Sequence, residues 1–142
     1  MFLVYGGEDE LIKGYSEASF QSDRDNFFSQ SGFVFTLNGG AVTWRSSKQS
    51  TIADSTTESE YITVNEATKE AMWIRKFIED LGVVPSIRDP VEIFCDNESA
   101  VVLAKNQDLR SAPGTYSENI TMFVKSLLTG TSSLVGSTPM EI

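Results

Sequence analysis

The sequence predicts an α/β domain in which an antiparallel three-stranded meander is followed by a helix, a strand and a second helix on a mixed sheet. Two observations lead there. Alternating apolar and polar residues flank an Asn-Gly pair in the first third of the chain. From Thr56 the apolar spacing then lengthens from two to about 3.6, and a short apolar run separates two helical stretches.

The first stretch, FLVYGGEDELIKGYSEASF, reads as two strands around a Gly-rich turn, and QSDRDNFFSQS as a solvated connection. GFVFTLNGGAVTWRS is the stronger signal. Asn38-Gly39 sits between two alternating runs, and a tight primed hairpin turn needs positive φ at its centre, which this pair supplies. Between Thr56 and Leu81, Val64, Ala67, Ala71, Ile74, Ile78 and Leu81 recur at spacings of three or four and form one stripe, and Gly82 supplies the stop. VEIFC after Pro90 reads as a buried strand, and DNESAVVLAKN as a strand-to-helix turn and short helix. Beyond about residue 107 the chain is rich in Ser, Thr and Gly. Its only hint of structure is a helical turn or two over 122–128, so no packed element is expected there.

At 142 residues the chain has the length of one domain, and 40% hydrophobic with 22% charged content is ordinary for a soluble globular protein. A single cysteine, Cys95, excludes an intrachain disulfide. The MFLVY start is too short for a signal peptide or membrane span, so an intracellular location, cytoplasmic or nuclear, is expected, with no membrane partner. The net charge of −9 repels a phosphate backbone, so nucleic-acid affinity is expected to be weak. With no histidine, the commonest general base and zinc ligand is missing, and carboxylate chemistry remains.

The carboxylates of STTESEY, residues 55–61, divide by geometry. Ser55 and Glu58 have capping-box spacing: the hydroxyl accepts from an orphan amide while the carboxylate reaches back to the cap's own amide. Glu60 has no such task. It lies one turn before Val64 on the apolar stripe and so points toward the sheet, where a carboxylate costs free energy unless paired, hydrogen-bonded or bound to a cation. Its bland role is to complement the helix dipole. Asp96 ends the apolar run IFC, at the carboxyl end of a strand where open α/β sheets place ligands, and a helix N-cap is its alternative role. Glu17 shares a strand face with Tyr15 and Lys13, which an exposed face would explain equally well. Together the three acids are a candidate oxygen cage for Mg²⁺.

GYSEASF, SQSGFVFTLNGGAVTWRSSKQSTIADSTTESEYI, EATKEAMWIRKFIEDLG and IFCDNESAVVLAKN closely resemble the ribonuclease H domain at the end of the Pol polyprotein of copia-type retrotransposons, particularly those of plants. The resemblance covers residues 2–106. It implies a ribonuclease H-like fold, cleavage of the RNA strand of RNA–DNA hybrids with two Mg²⁺ (or Mn²⁺) ions, and a neighbouring reverse transcriptase domain in the parent polyprotein. By position, Glu17, Glu60 and Asp96 match the family's metal-holding acids. Two metal ions can activate water and stabilise the leaving oxygen without histidine.

The sequence also departs from the family. The first-strand acid is aspartate there and Glu17 here, and an added methylene displaces a carboxylate by roughly 1 Å, enough to cost on the order of a hundredfold in rate. The family's later KH motif and fourth acid have no match, and Met1 is expected to be internal to a longer reading frame. With synonymous codons free, 118–142 re-read two nucleotides out of frame approaches what the family carries after KH. Residues 1–106 are therefore read as an incomplete ribonuclease H-like domain and 107–142 as a frameshifted, poorly ordered tail. The whole is read as a degenerate pseudoenzyme or, alternatively, as a non-catalytic interaction module.

Overall fold

The structure, a computed structural model, describes residues 12–82, 89–111, 120–125 and 132–133. Strands β1 (Lys13–Ser19), β2 (Gln30–Leu37) and β3 (Gly40–Lys48) are followed by helix α1 (Thr56–Leu81), strand β4 (Val91–Cys95), helix α2 (Glu98–Ser111) and strands β5 (Ile120–Lys125) and β6 (Ser132–Ser133). They build one sheet in the order β3-β2-β1-β4-β5-β6. β1, β2 and β3 pair antiparallel, while β4 pairs parallel to β1 and β5 parallel to β4. This is the ribonuclease H-like arrangement expected from the sequence. The FLVY strand and its turn lie outside the described residues.

Local chemistry sets these elements. Asn38 and Gly39 close the β2–β3 hairpin with φ of 51° and 73°, the positive values a primed turn requires. β1 crosses under Phe35 by way of Gly14, where a Cβ would lie 2.4 Å from the Phe35 ring, so only glycine lets strand and ring approach this closely. Period-two alternation sends Gly14, Ser16, Phe33, Phe35, Ile93 and Cys95 to one face of the sheet, in register with one another.

Helix α1 covers that face. Val64, Ala67, Ala71, Ile74 and Ile78 are buried against Phe33, Phe35, Val91 and Ile93, and Ala100, Val101 and Ala104 of α2 complete the cluster. Each large aliphatic side chain so buried contributes about 1.5–3 kcal/mol. Gly82 ends the helix at φ 65°, its amide returning to Ile78 and Glu79. Leu81, expected on the buried stripe, is half exposed, although Ile78, three residues earlier on the same stripe, is buried.

Two further expectations are corrected. Ser55 caps α1 as predicted, its hydroxyl accepting from the Glu58 amide at 3.1 Å, but the Glu58 carboxylate accepts from the Asp54 amide at 2.7 Å instead of that of Ser55. The cap still ties down two backbone donors, one residue further upstream. Where no packed element was expected, α2 continues through 107–111 and β5 occupies 120–125. ITMFVK is too short for its period to separate helix from strand, and ladder pairing of Ile120–Val124 with Val91–Cys95 decides for strand.

A buried polar cluster anchors the first turns of α1. The Gln49 amide donates to the Ser31 hydroxyl and the Ser59 carbonyl, each at 2.9 Å, and the hydroxyls of Ser31 and Thr63 are 2.8 Å apart. Ser59 and Thr63 bracket Glu60, so this cluster fixes the height and rotation at which Glu60 meets the sheet.

Candidate metal centre

Glu60 enters the sheet where the strand ends of β1 and β4 converge. Its Oε1 accepts from the Ala18 amide at 2.9 Å, and the Cys95 thiol donates to its Oε2 at 3.9 Å. One oxygen of Glu60, the Cys95 Sγ and one oxygen of Asp96 lie within 4.8 Å of one another. Glu60 and Cys95 are buried, whereas Asp96 opens to solvent. The Ser16 hydroxyl donates to the Phe94 carbonyl at 3.4 Å, bracing β1 against β4 beneath this point.

Asp96 is free of the capping role that was its alternative. Asn97 takes it, its side-chain oxygen accepting from the Ala100 amide at 2.9 Å at the start of α2. Glu17, on β1, is exposed on the face opposite the helices, as its alternation with Ser16 requires, and it does not join the 4.8 Å set. Its charge nonetheless reaches Glu60. Of the three acids singled out in the sequence, the fold thus gathers Glu60 and Asp96 and leaves Glu17 at the rim.

Cys95 was not anticipated as a neighbour of Glu60. The signal was available: in VEIFC the period-two rule puts Ile93 and Cys95 on the side where α1 packs, and a residue preceding Asp96 at the strand end must then lie under the helix start.

Electrostatically the site is under load. Burial, above all, raises the Glu60 carboxyl from its ordinary 4.5 to about 7; the negative charges of Asp96 and Glu17 push the same way, and the Ala18 amide opposes them. Burial likewise pushes the Cys95 thiol up to about 11, with the negative charges of Glu60 and Asp96 adding to the effect. Near neutral pH the Cys95 thiol therefore keeps its proton, while Glu60 is poised between its protonated and ionised forms.

This donor set suits a divalent cation. Two carboxylates held close together, one of them buried and charged only at a cost, are relieved by a hard cation between them, and the solvent-open side at Asp96 leaves room for the waters that Mg²⁺ keeps. Glu60 and Asp96 would hold the ion.

No family model matches the chain. Over 104 residues it is 41% identical to a retrovirus-related Pol polyprotein from transposon TNT 1-94 of Nicotiana tabacum, a match covering 73% of this chain and 8% of that protein. It is also 52% identical over 68 residues to secreted RxLR effector protein 161 of Plasmopara viticola, covering 48% of this chain and 47% of that one. The chain thus spans less than half of either relative. Among solved structures, LC11-RNase H1 isolated from compost superposes with a TM-score of 0.49 at 14% identity, over 80% of this chain and 82% of that one.

Proposed function

We propose that this chain, a partial match to the Pol polyproteins of copia-type retrotransposons, is a ribonuclease H-like domain that keeps a divalent-cation site but has lost the cleavage of RNA–DNA hybrids its ancestors performed. The observation that carries the reading is the buried Glu60 carboxylate brought to Asp96 at the ends of β1 and β4. Glu60 is fixed by the Ala18 amide, and Asp96 faces solvent where a phosphodiester could approach. A bound Mg²⁺ would polarise a phosphate oxygen and lower the pKa of bound water.

What the residues do not supply explains the loss. Two gathered carboxylates support a single shared ion, whereas in-line hydrolysis of the hybrid uses a pair of ions clamping attacking and leaving oxygens. Glu17, the third acid, stands exposed outside the set. The net charge of −9 adds repulsion toward the hybrid's two phosphate backbones.

A second reading, a folded module that packs against a reverse transcriptase domain or another protein, draws on the outer side of α1, where Trp73 and Phe77 stack at 5.3 Å and remain exposed beside Leu81. An intracellular location belongs to the retroelement reading. No described helix is long and apolar enough to cross a membrane.

The test is cleavage of an RNA–DNA hybrid by the purified chain with Mg²⁺ or Mn²⁺. We expect no cutting above an Asp96→Asn control, and none restored by Glu17→Asp. Cutting that depends on Asp96 would show an intact nuclease; rescue by Glu17→Asp would trace the loss to the length of one side chain.

A further inference from the structure

The Glu60–Asp96 pair has a third neighbour that a Mg²⁺ site has no use for. Cys95 Sγ lies 3.9 Å from Glu60 Oε2 and within 4.8 Å of an Asp96 oxygen. Tetrahedral Zn²⁺, with metal–sulfur and metal–oxygen bonds of about 2.3 and 2.1 Å, places sulfur and oxygen ligands roughly 3.6 Å apart. The observed spacing therefore needs only a few tenths of an ångström of closure on the Glu60 side, and Asp96, exposed at the strand end, has freedom to swing in.

We infer that Cys95 is a ligand, with Glu60 and Asp96, for a thiophilic divalent cation of the Zn²⁺ class, which competes with Mg²⁺ for the same two carboxylates. The inference rests on the cation-site reading above and adds to it a ligand and a metal preference. Softness decides the preference: thiolate sulfur favours Zn²⁺ and Co²⁺ strongly over Mg²⁺, and two carboxylates with one thiolate leave a fourth position for water. As the metal–sulfur bond forms, the thiol proton passes to solvent, so binding releases protons and tightens as pH rises. Burial of Glu60 and Cys95 shields two of the three ligands from exchange with bulk water, and Asp96 marks the side by which the ion enters.

Because Cys95 is the chain's only cysteine, a sulfur–metal signal has one source. The reduced protein is titrated with Co²⁺ while the near-ultraviolet thiolate-to-metal absorption is followed; Zn²⁺ is then added, and Mg²⁺ binding is measured separately by calorimetry. We expect a band saturating at one equivalent of Co²⁺, erased by Zn²⁺ and absent from Cys95→Ser. That variant should bind Zn²⁺ at least about tenfold more weakly than wild type. Asp96→Asn, a substitution at an exposed position that keeps the thiol, should weaken Co²⁺ and Mg²⁺ together.

Co²⁺ binding with no sulfur band, or equal Zn²⁺ affinity in Cys95→Ser, overturns the inference. If Mg²⁺ binds wild type and Co²⁺ shows no band, the added ligand falls and the cation site stands. If no cation binds, both fall. A band that persists at an unchanged midpoint in Asp96→Asn also overturns the inference, even should Cys95→Ser fail to fold.

Discussion

Replacing Glu60 with Gln removes a buried charge and keeps the side chain's shape, so the pH dependence of stability isolates what that charge costs. In the fold the carboxyl sits at about 7 against an ordinary 4.5. At about 1.4 kcal/mol per pH unit, that gap of about 2.5 sets the cost of ionising Glu60 in the folded protein at about 3 kcal/mol. The folded state holds the proton more tightly than the unfolded chain. Below about pH 4.5 both states are protonated and the contribution is fully present; it is lost as pH rises through about 7, after which both are ionised. A glutamine can still accept from the Ala18 amide, so that contact survives the substitution. Urea melts of wild type and Glu60→Gln, in chelator to exclude metal, should therefore diverge between pH 4.5 and 8, the variant gaining up to about 3 kcal/mol on wild type at the alkaline end. Taking the difference between the two curves cancels the other carboxylates. Parallel curves across that range would refute the claim that Glu60 is charged at a cost, and with it the argument that the site calls for a cation.

Two further substitutions probe the fold around the site. Glu58→Ala removes the carboxylate that accepts from the Asp54 amide and should lower stability by about 0.5–2 kcal/mol in denaturant melts; a larger loss on Glu60→Gln at pH 8 would reverse the division of labour between the two acids. Gly14→Ala drives a Cβ into the Phe35 ring and should cost about 1–3 kcal/mol, read as a lowered midpoint with unchanged m-value; an unchanged midpoint would mean that β1 and Phe35 are not packed as described.

The parts of this molecule legible in the sequence are those fixed by local pattern. Asn38-Gly39 specified its hairpin because only a few residues tolerate two successive positive φ angles, and Glu60 could be aimed at the sheet because its place on the stripe follows from helix geometry alone. What could not be read depends on pairing at a distance. Whether ITMFVK is helix or strand is decided by the vacant edge of β4, which only the assembled sheet presents. The contact between Cys95 and Glu60 joins residues 35 apart in sequence across a strand and a helix, and it required both the face of β4 and the height of α1 to be known together. Leu81 shows the limit of periodicity: it shares the stripe of Ile74 and Ile78, yet it is half exposed where they are buried.

The central claim, that Glu60 and Asp96 together hold a divalent cation, is tested most directly by the effect of Mg²⁺ on unfolding. A ligand that binds only the folded state raises its stability by about 2.7 kcal/mol at a concentration one hundred times its dissociation constant. Wild type should therefore shift to higher melting temperature as Mg²⁺ is raised, at constant ionic strength, while Glu60→Gln and Asp96→Asn should each lose the shift. An equal response in all three proteins would contradict the account.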